Sequence, residues 1–147
     1  MGFSPLGLVL SIALFAPSLL LMRFPPHPAP TGAGAPRSVV ALERVGQVLC
    51  VTVPVITVGG DVRWWWALPV SLLVIGYWAL WIRFVAGGCR LDLLFGPVWG
   101  VPVPMAVLPV AAFLAGSAWL ANPWMAVAAL VLAAGHIPSS LFTARSL

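Results

Sequence analysis

Five apolar stretches, each near the length of one helical membrane crossing, dominate this sequence, and all ten formal charges (seven cationic, three anionic) fall between or beyond them. A hydrocarbon core about 30 Å thick takes about 20 helical residues at 1.5 Å each. The stretches cover about residues 3–22, 45–60, 65–82, 103–121 and 123–142. Charged residues make up 7% of the chain and hydrophobic ones 62%, against about 25% charged in soluble domains. So few charges cannot dress a soluble surface, and disordered chains lack this much apolar residue. The expected fold is all-α: one transmembrane domain over residues 1–147, a polytopic integral membrane bundle of five helices.

Orientation follows from the cations, all seven of which are arginine. With the N-terminus outside, the cytoplasmic segments carry Arg23, Arg37, Arg44, Arg83, Arg90 and Arg145, and the opposite face carries only Arg63. That asymmetry obeys the positive-inside rule, whereas four or six spans would mix arginines across both faces. Signal peptides carry positive charge ahead of the apolar core; here Met1 to Leu10 carry none, and Arg23 follows the run. A retained first span with a translocated N-terminus is therefore expected, the C-terminus being cytoplasmic.

The arginines stand singly and form no basic stripe, so no nucleic acid is expected. Arginine without lysine, beside abundant Ala, Gly, Pro and Val, fits a GC-rich bacterial genome. The expected location is a bacterial cell inner membrane, with multiple passes.

The connections add detail. The cytoplasmic loop 23–42 contains Pro25-Pro26-His27-Pro28-Ala29-Pro30 followed by Thr31-Gly32-Ala33-Gly34, which reads as an extended linker. Trp64-Trp65-Trp66 reads as an aromatic belt at the outer surface. Loop 83–100 is too apolar to be freely solvated, and should lie along the inner interface or dip inward. Asn122-Pro123 should make a tight turn, pairing the last two helices as a hairpin. Cys50 and Cys89 both fall toward the cytoplasm and are expected to be free thiols.

An ionisable group in a membrane span is costly and marks a site by default. Glu43, Gln47, Cys50, Pro54, Thr57 and Asp61 recur at spacings of three and four on the second span, hence on one helical face. His136, Ser139, Ser140 and Thr143 do the same on the fifth. These stripes are expected to face each other and line a cytoplasm-facing polar vestibule of Glu43, Gln47, Cys50, His136, Ser139 and Ser140. Arg44, Arg83, Arg90 and Asp92 are the charges at the inner interface nearby. The plainer reading is that the stripes only hydrogen-bond neighbouring helices, each bond worth about 0.6 kcal/mol, and that Glu43 and Arg44 snorkel at the membrane edge.

No catalytic residue, cofactor or metal is expected. Metal binding needs three or four converging ligands, and neither CxxC nor HExxH occurs. A GxSxG elbow and a phosphate loop are equally absent. Interior prolines such as Pro17, Pro54, Pro109 and Pro138 each remove a backbone hydrogen bond that neighbours or water must replace. Ala112, Ala115, Gly116 and Ala118, with Ala126, Ala129 and Ala133, allow close helix contact. Three functional classes remain. One is a transporter- or channel-like protein, expected to act as a homo-oligomer or beside a membrane-protein partner in the lipid bilayer. The second is a non-catalytic membrane subunit or assembly factor working through helix contacts. The last is an intramembrane lipid-modifying enzyme using His136 and Glu43.

Overall fold

The computed structural model describes residues 2–29, 34–98 and 100–147, and all regular structure among them is helical. Pro30 and the Thr31-Gly32-Ala33 part of the expected linker lie outside the described residues. Four helical stretches are long and apolar enough to cross a membrane: Pro5–Arg23, Arg37–Ile56, Trp64–Ala86 and Pro123–Ala144. A shorter apolar helix, Pro104–Trp119, joins them. The fold is a helical bundle of membrane-protein type.

Helix α1 (Pro5–Phe15) opens on Ser4, whose hydroxyl accepts the Gly7 N–H at 3.2 Å, with Pro5 preset for the first turn. A 3₁₀ turn, Ala16–Leu19, leads into α2 (Leu20–Arg23). Helix α3 (Arg37–Ile56) follows, then α4 (Ala67–Ala86), the short α5 (Leu91–Phe95), α6 (Pro104–Trp119) and α7 (Pro123–Ala144). Asn122 caps α7 by accepting the Met125 N–H at 3.3 Å, and forms with α6 the expected hairpin turn.

Helix α3 differs from the expected span 45–60. It begins at Arg37 and stops at Ile56. Ser38-Val39-Val40-Ala41-Leu42 continue the helix backwards to Pro36, and the Glu43 charge that seemed to mark a membrane edge is accommodated by a partner within the bundle. Beyond Ile56 the chain turns extended at Thr57 (φ −115°, ψ 123°), so Thr57 and Asp61 do not continue the helical stripe.

Helices α3 and α7 run antiparallel and pack along most of their length. Glycine makes this possible: a Cβ at Gly46 would overlap the Leu132 backbone, and one at Gly135 the Glu43 backbone. Proline sets the contacts of α1. Pro54 cannot donate to the Cys50 carbonyl, and the Ser11 hydroxyl donates instead across helices at 3.0 Å. Pro17 leaves the Ala13 carbonyl free in the same way, and the Trp78 indole of α4 donates to it at 2.9 Å.

One end of the bundle carries the Trp64–Trp66 turn, with Trp64 and Trp65 exposed. There the Asn122 amide donates to Thr57 Oγ1 at 2.7 Å and to its carbonyl at 3.1 Å. At the opposite end the loop before α3 meets the loop after α4, where the His27 N–H donates to the Cys89 carbonyl (2.8 Å) and the Leu91 N–H to that of His27 (3.0 Å). Leu91 and Leu94 of α5 are buried, and the chain then enters the bundle at Val103, 1% exposed with a left-handed φ of 42°. Irregular backbone at such depth is tolerated where protein covers it.

Candidate functional site

Glu43 lies six residues into α3 and His136 thirteen residues into α7, so antiparallel packing brings them to one level. His136 Nδ1 sits 2.7 Å from Glu43 Oε1. The Gly135–Glu43 backbone contact explains this: adjacent to that crossing, the two side chains emerge side by side. Their exposures, 25% and 17%, mean the pair is half-buried, reached from a cavity rather than sealed in the core. With Nδ1 engaged by the carboxylate, the ring keeps Nε2 as its second proton-exchanging atom.

The cavity is a chamber of about 270 Å³. Glu43, Gln47, His136, Ser139, Ser140 and Thr143 line it from α3 and α7. Tyr77 and Trp81 of α4 face it from the other side, with α5 and the start of α6 (Leu94, Phe95, Val103, Met105, Ala106) closing it. Trp81 is 4% exposed, and its Nε1–H makes no well-formed hydrogen bond among the described residues.

A second cavity of about 360 Å³ adjoins the chamber, sharing Ser18, Gln47, Tyr77 and His136 with it. Its floor is apolar and deeply buried (Leu14, Phe113, Leu132), while its rim is Val48, Val51 and Thr52 on the exposed flank of α3. The cleft exists because α1 is held on α3 at Gly7–Pro54 and Ser11–Cys50, while further along Trp78 holds it toward α4. Beyond Ser11, α1 and α3 are no longer held together, and the groove opens sideways between them.

Of the six residues expected to line a vestibule, five line the chamber. Cys50 does not: two turns along α3 from Glu43 its side chain is wholly buried in the core, where α3 packs on α1 and α7. Both cysteines are free. Pro54 meets α1, and Thr57 binds Asn122 at the far end of the bundle. Arg44 and Arg83 are exposed and line neither cavity. Arg90 and Asp92 form an exposed two-point ion pair, both bonds 2.9 Å. The hydrogen-bonded Arg90 guanidinium holds the Asp92 carboxyl below its ordinary range. That contribution is present above the unfolded pKa and fades as pH falls through the folded one.

Sequence reasoning missed Tyr77, Trp81 and Ser18. Tyr77 is the chain's only tyrosine and Trp81 stands four residues on, a same-face spacing that offered a signal. Among the described residues no three His, Cys, Asp or Glu side chains gather closely enough to hold a metal ion. No family model, curated protein or solved structure matches this chain.

Proposed function

We propose that this chain is a five-span, transporter-like protein of a bacterial inner membrane, handling a solute together with a proton at the Glu43–His136 pair. The arginine asymmetry supports an N-terminus outside and a cytoplasmic C-terminus, so the chamber faces the cytoplasm. The observation that carries the reading is the 2.7 Å approach of two titratable side chains, from different helices, beside a polar chamber. A scaffold acting only through helix contacts has no need of such a pair next to a cavity. Proton transfer between a carboxylate and an imidazole within a span is a recurring element of transport.

The lateral groove favours a second reading, an intramembrane enzyme in which the same two residues act as acid and base on a lipid. Both readings place the chemistry at one pair, with the bilayer as surroundings and a second copy or another membrane protein as the expected company.

The test is proton flux in liposomes containing the purified protein, followed with a trapped pH-sensitive dye. Glu43→Gln and His136→Ala are each expected to lower flux about a hundredfold, the scale of a positioned proton-transfer group, with helicity unchanged. Flux equal to wild type in both folded variants sinks the transport reading.

A further inference from the structure

We infer that the site takes a bilayer lipid, which enters sideways between α1 and α3 with one chain in the groove and its headgroup in the chamber. This rests on the reading of the Glu43–His136 chamber as the functional site. The two cavities are not separate: Gln47, Tyr77, His136 and Ser18 line both. Together they form one amphipathic space, with polar side chains clustered on the α3–α7 side at the Glu43–His136 pair and an apolar floor of Leu14, Phe113 and Leu132. A wholly water-soluble solute has no use for the apolar half. A wholly apolar molecule would cut the Glu43–His136 pair and the hydroxyls of Ser139, Ser140 and Thr143 off from water without offering them a bond. An amphiphile satisfies both, and the groove, about 360 Å³, is itself of the size that small-molecule sites occupy, while the chamber of about 270 Å³ adds to it.

The entrance supports the same occupant. Val48, Val51 and Thr52 lie mid-helix on α3, and their exposed sides face hydrocarbon if α3 spans the bilayer. A lipid reaches the groove from there without leaving the membrane. At the polar end the buried Trp81 indole N–H makes no well-formed hydrogen bond, having only the Tyr77 hydroxyl within reach, and matches a headgroup rich in acceptor oxygens.

The experiment uses the full chain in bilayer nanodiscs doped with a phosphatidylglycerol carrying a diazirine at its chain end or beside its headgroup. After illumination, labelled residues are mapped by mass spectrometry. The chain-end probe is expected to label Leu14, Phe15 and Val51 at least severalfold above Ile75 and Leu130 on ordinary lipid-facing surface. The headgroup probe is expected to label Gln47 and Tyr77. Val48→Trp, which plugs the rim from an already exposed position, should abolish the enrichment while leaving Leu130 labelling unchanged, and Val51→Trp repeats the plug from the next turn. Labelling no stronger in the groove than at Ile75 and Leu130 overturns the inference, whatever the flux assay reads. Groove enrichment that persists while Glu43→Gln leaves flux untouched upholds the lipid site and overturns the transport reading instead.

Discussion

The pairing of His136 with Glu43 resolves a cost that either residue alone would impose. A lone carboxylate or imidazole among apolar helices must shed its charge or find a partner. Here each is the other's partner, and the hydrogen bond fixes which ring nitrogen remains free. His136→Asn separates structure from proton chemistry, because its amide nitrogen occupies nearly the place of Nδ1 and can still donate to Glu43, yet does not titrate. The expected outcome is near-native thermal stability in detergent with flux as low as in His136→Ala. Flux close to wild type in this variant would mean that the imidazole is only a strut. In a double-mutant cycle, Glu43→Leu and His136→Leu together should cost less than the sum of the two single changes. The coupling should be about 1–2 kcal/mol, toward the upper end for polar pairs in membrane bundles.

At the scale of elements, two glycines and two prolines decide where the residues of the site meet. Gly46 and Gly135 face backbone atoms of the opposite helix, which cannot move aside, whereas a Cβ at Gly116 meets only the ends of Leu10 and Met125. Gly135→Ala is therefore expected to destabilise by about 3 kcal/mol or more and Gly116→Ala by about 1 kcal/mol, read from thermal unfolding in detergent. Equal losses would deny that the α3–α7 crossing is tighter than the α1–α6 contact. The proline contacts allow a cleaner test. Ser11→Ala should cost about 0.6 kcal/mol in the native chain and almost nothing in a Pro54→Ala background, where residue 54 regains the N–H that serves the Cys50 carbonyl. These features also show why part of the site was legible and part was not. Spacing alone put Glu43 with Gln47, and His136 with Ser139 and Ser140, because helical periodicity fixes a face within one helix. Which helix that face meets is set by the closest backbone approach, written in Gly46 and Gly135, while the small-residue reading looked to Gly116 and the alanines of α6 and α7. Cys50 was misjudged for the same reason: sharing a face with Glu43 does not mean sharing a cavity once α1 crosses α3. Tyr77 and Trp81 were passed over because aromatics in a span read first as packing.

For the whole molecule, the side from which the chamber is reached depends on which end of the bundle faces the cytoplasm. The alternating directions of the helices put Arg23, Arg37, Arg44, Arg83, Arg90 and Arg145 at the end that holds the chamber, and Arg63 with the exposed Trp64 and Trp65 at the other. Translocating the first group would carry six arginines across the bilayer, and the second only one. Thiol accessibility decides the matter. Cys50, wholly buried, should stay unlabelled in the folded protein, leaving Cys89 as a native reporter at the chamber end. Asp61→Cys in the tryptophan loop supplies a reporter at the opposite end. In intact cells a membrane-impermeant maleimide is expected to label Asp61→Cys at once, and Cys89 only after the membrane is opened. Cys89 labelled in intact cells, with Asp61→Cys protected, would reverse the orientation. The chamber would then receive its proton from outside, and the pH dependence of flux would have to follow the external pH instead of the internal one. The lateral groove is indifferent to this choice, since a lipid enters it from the bilayer in either case. Orientation and lipid occupancy are therefore independent questions, and a protein could fail one test and pass the other.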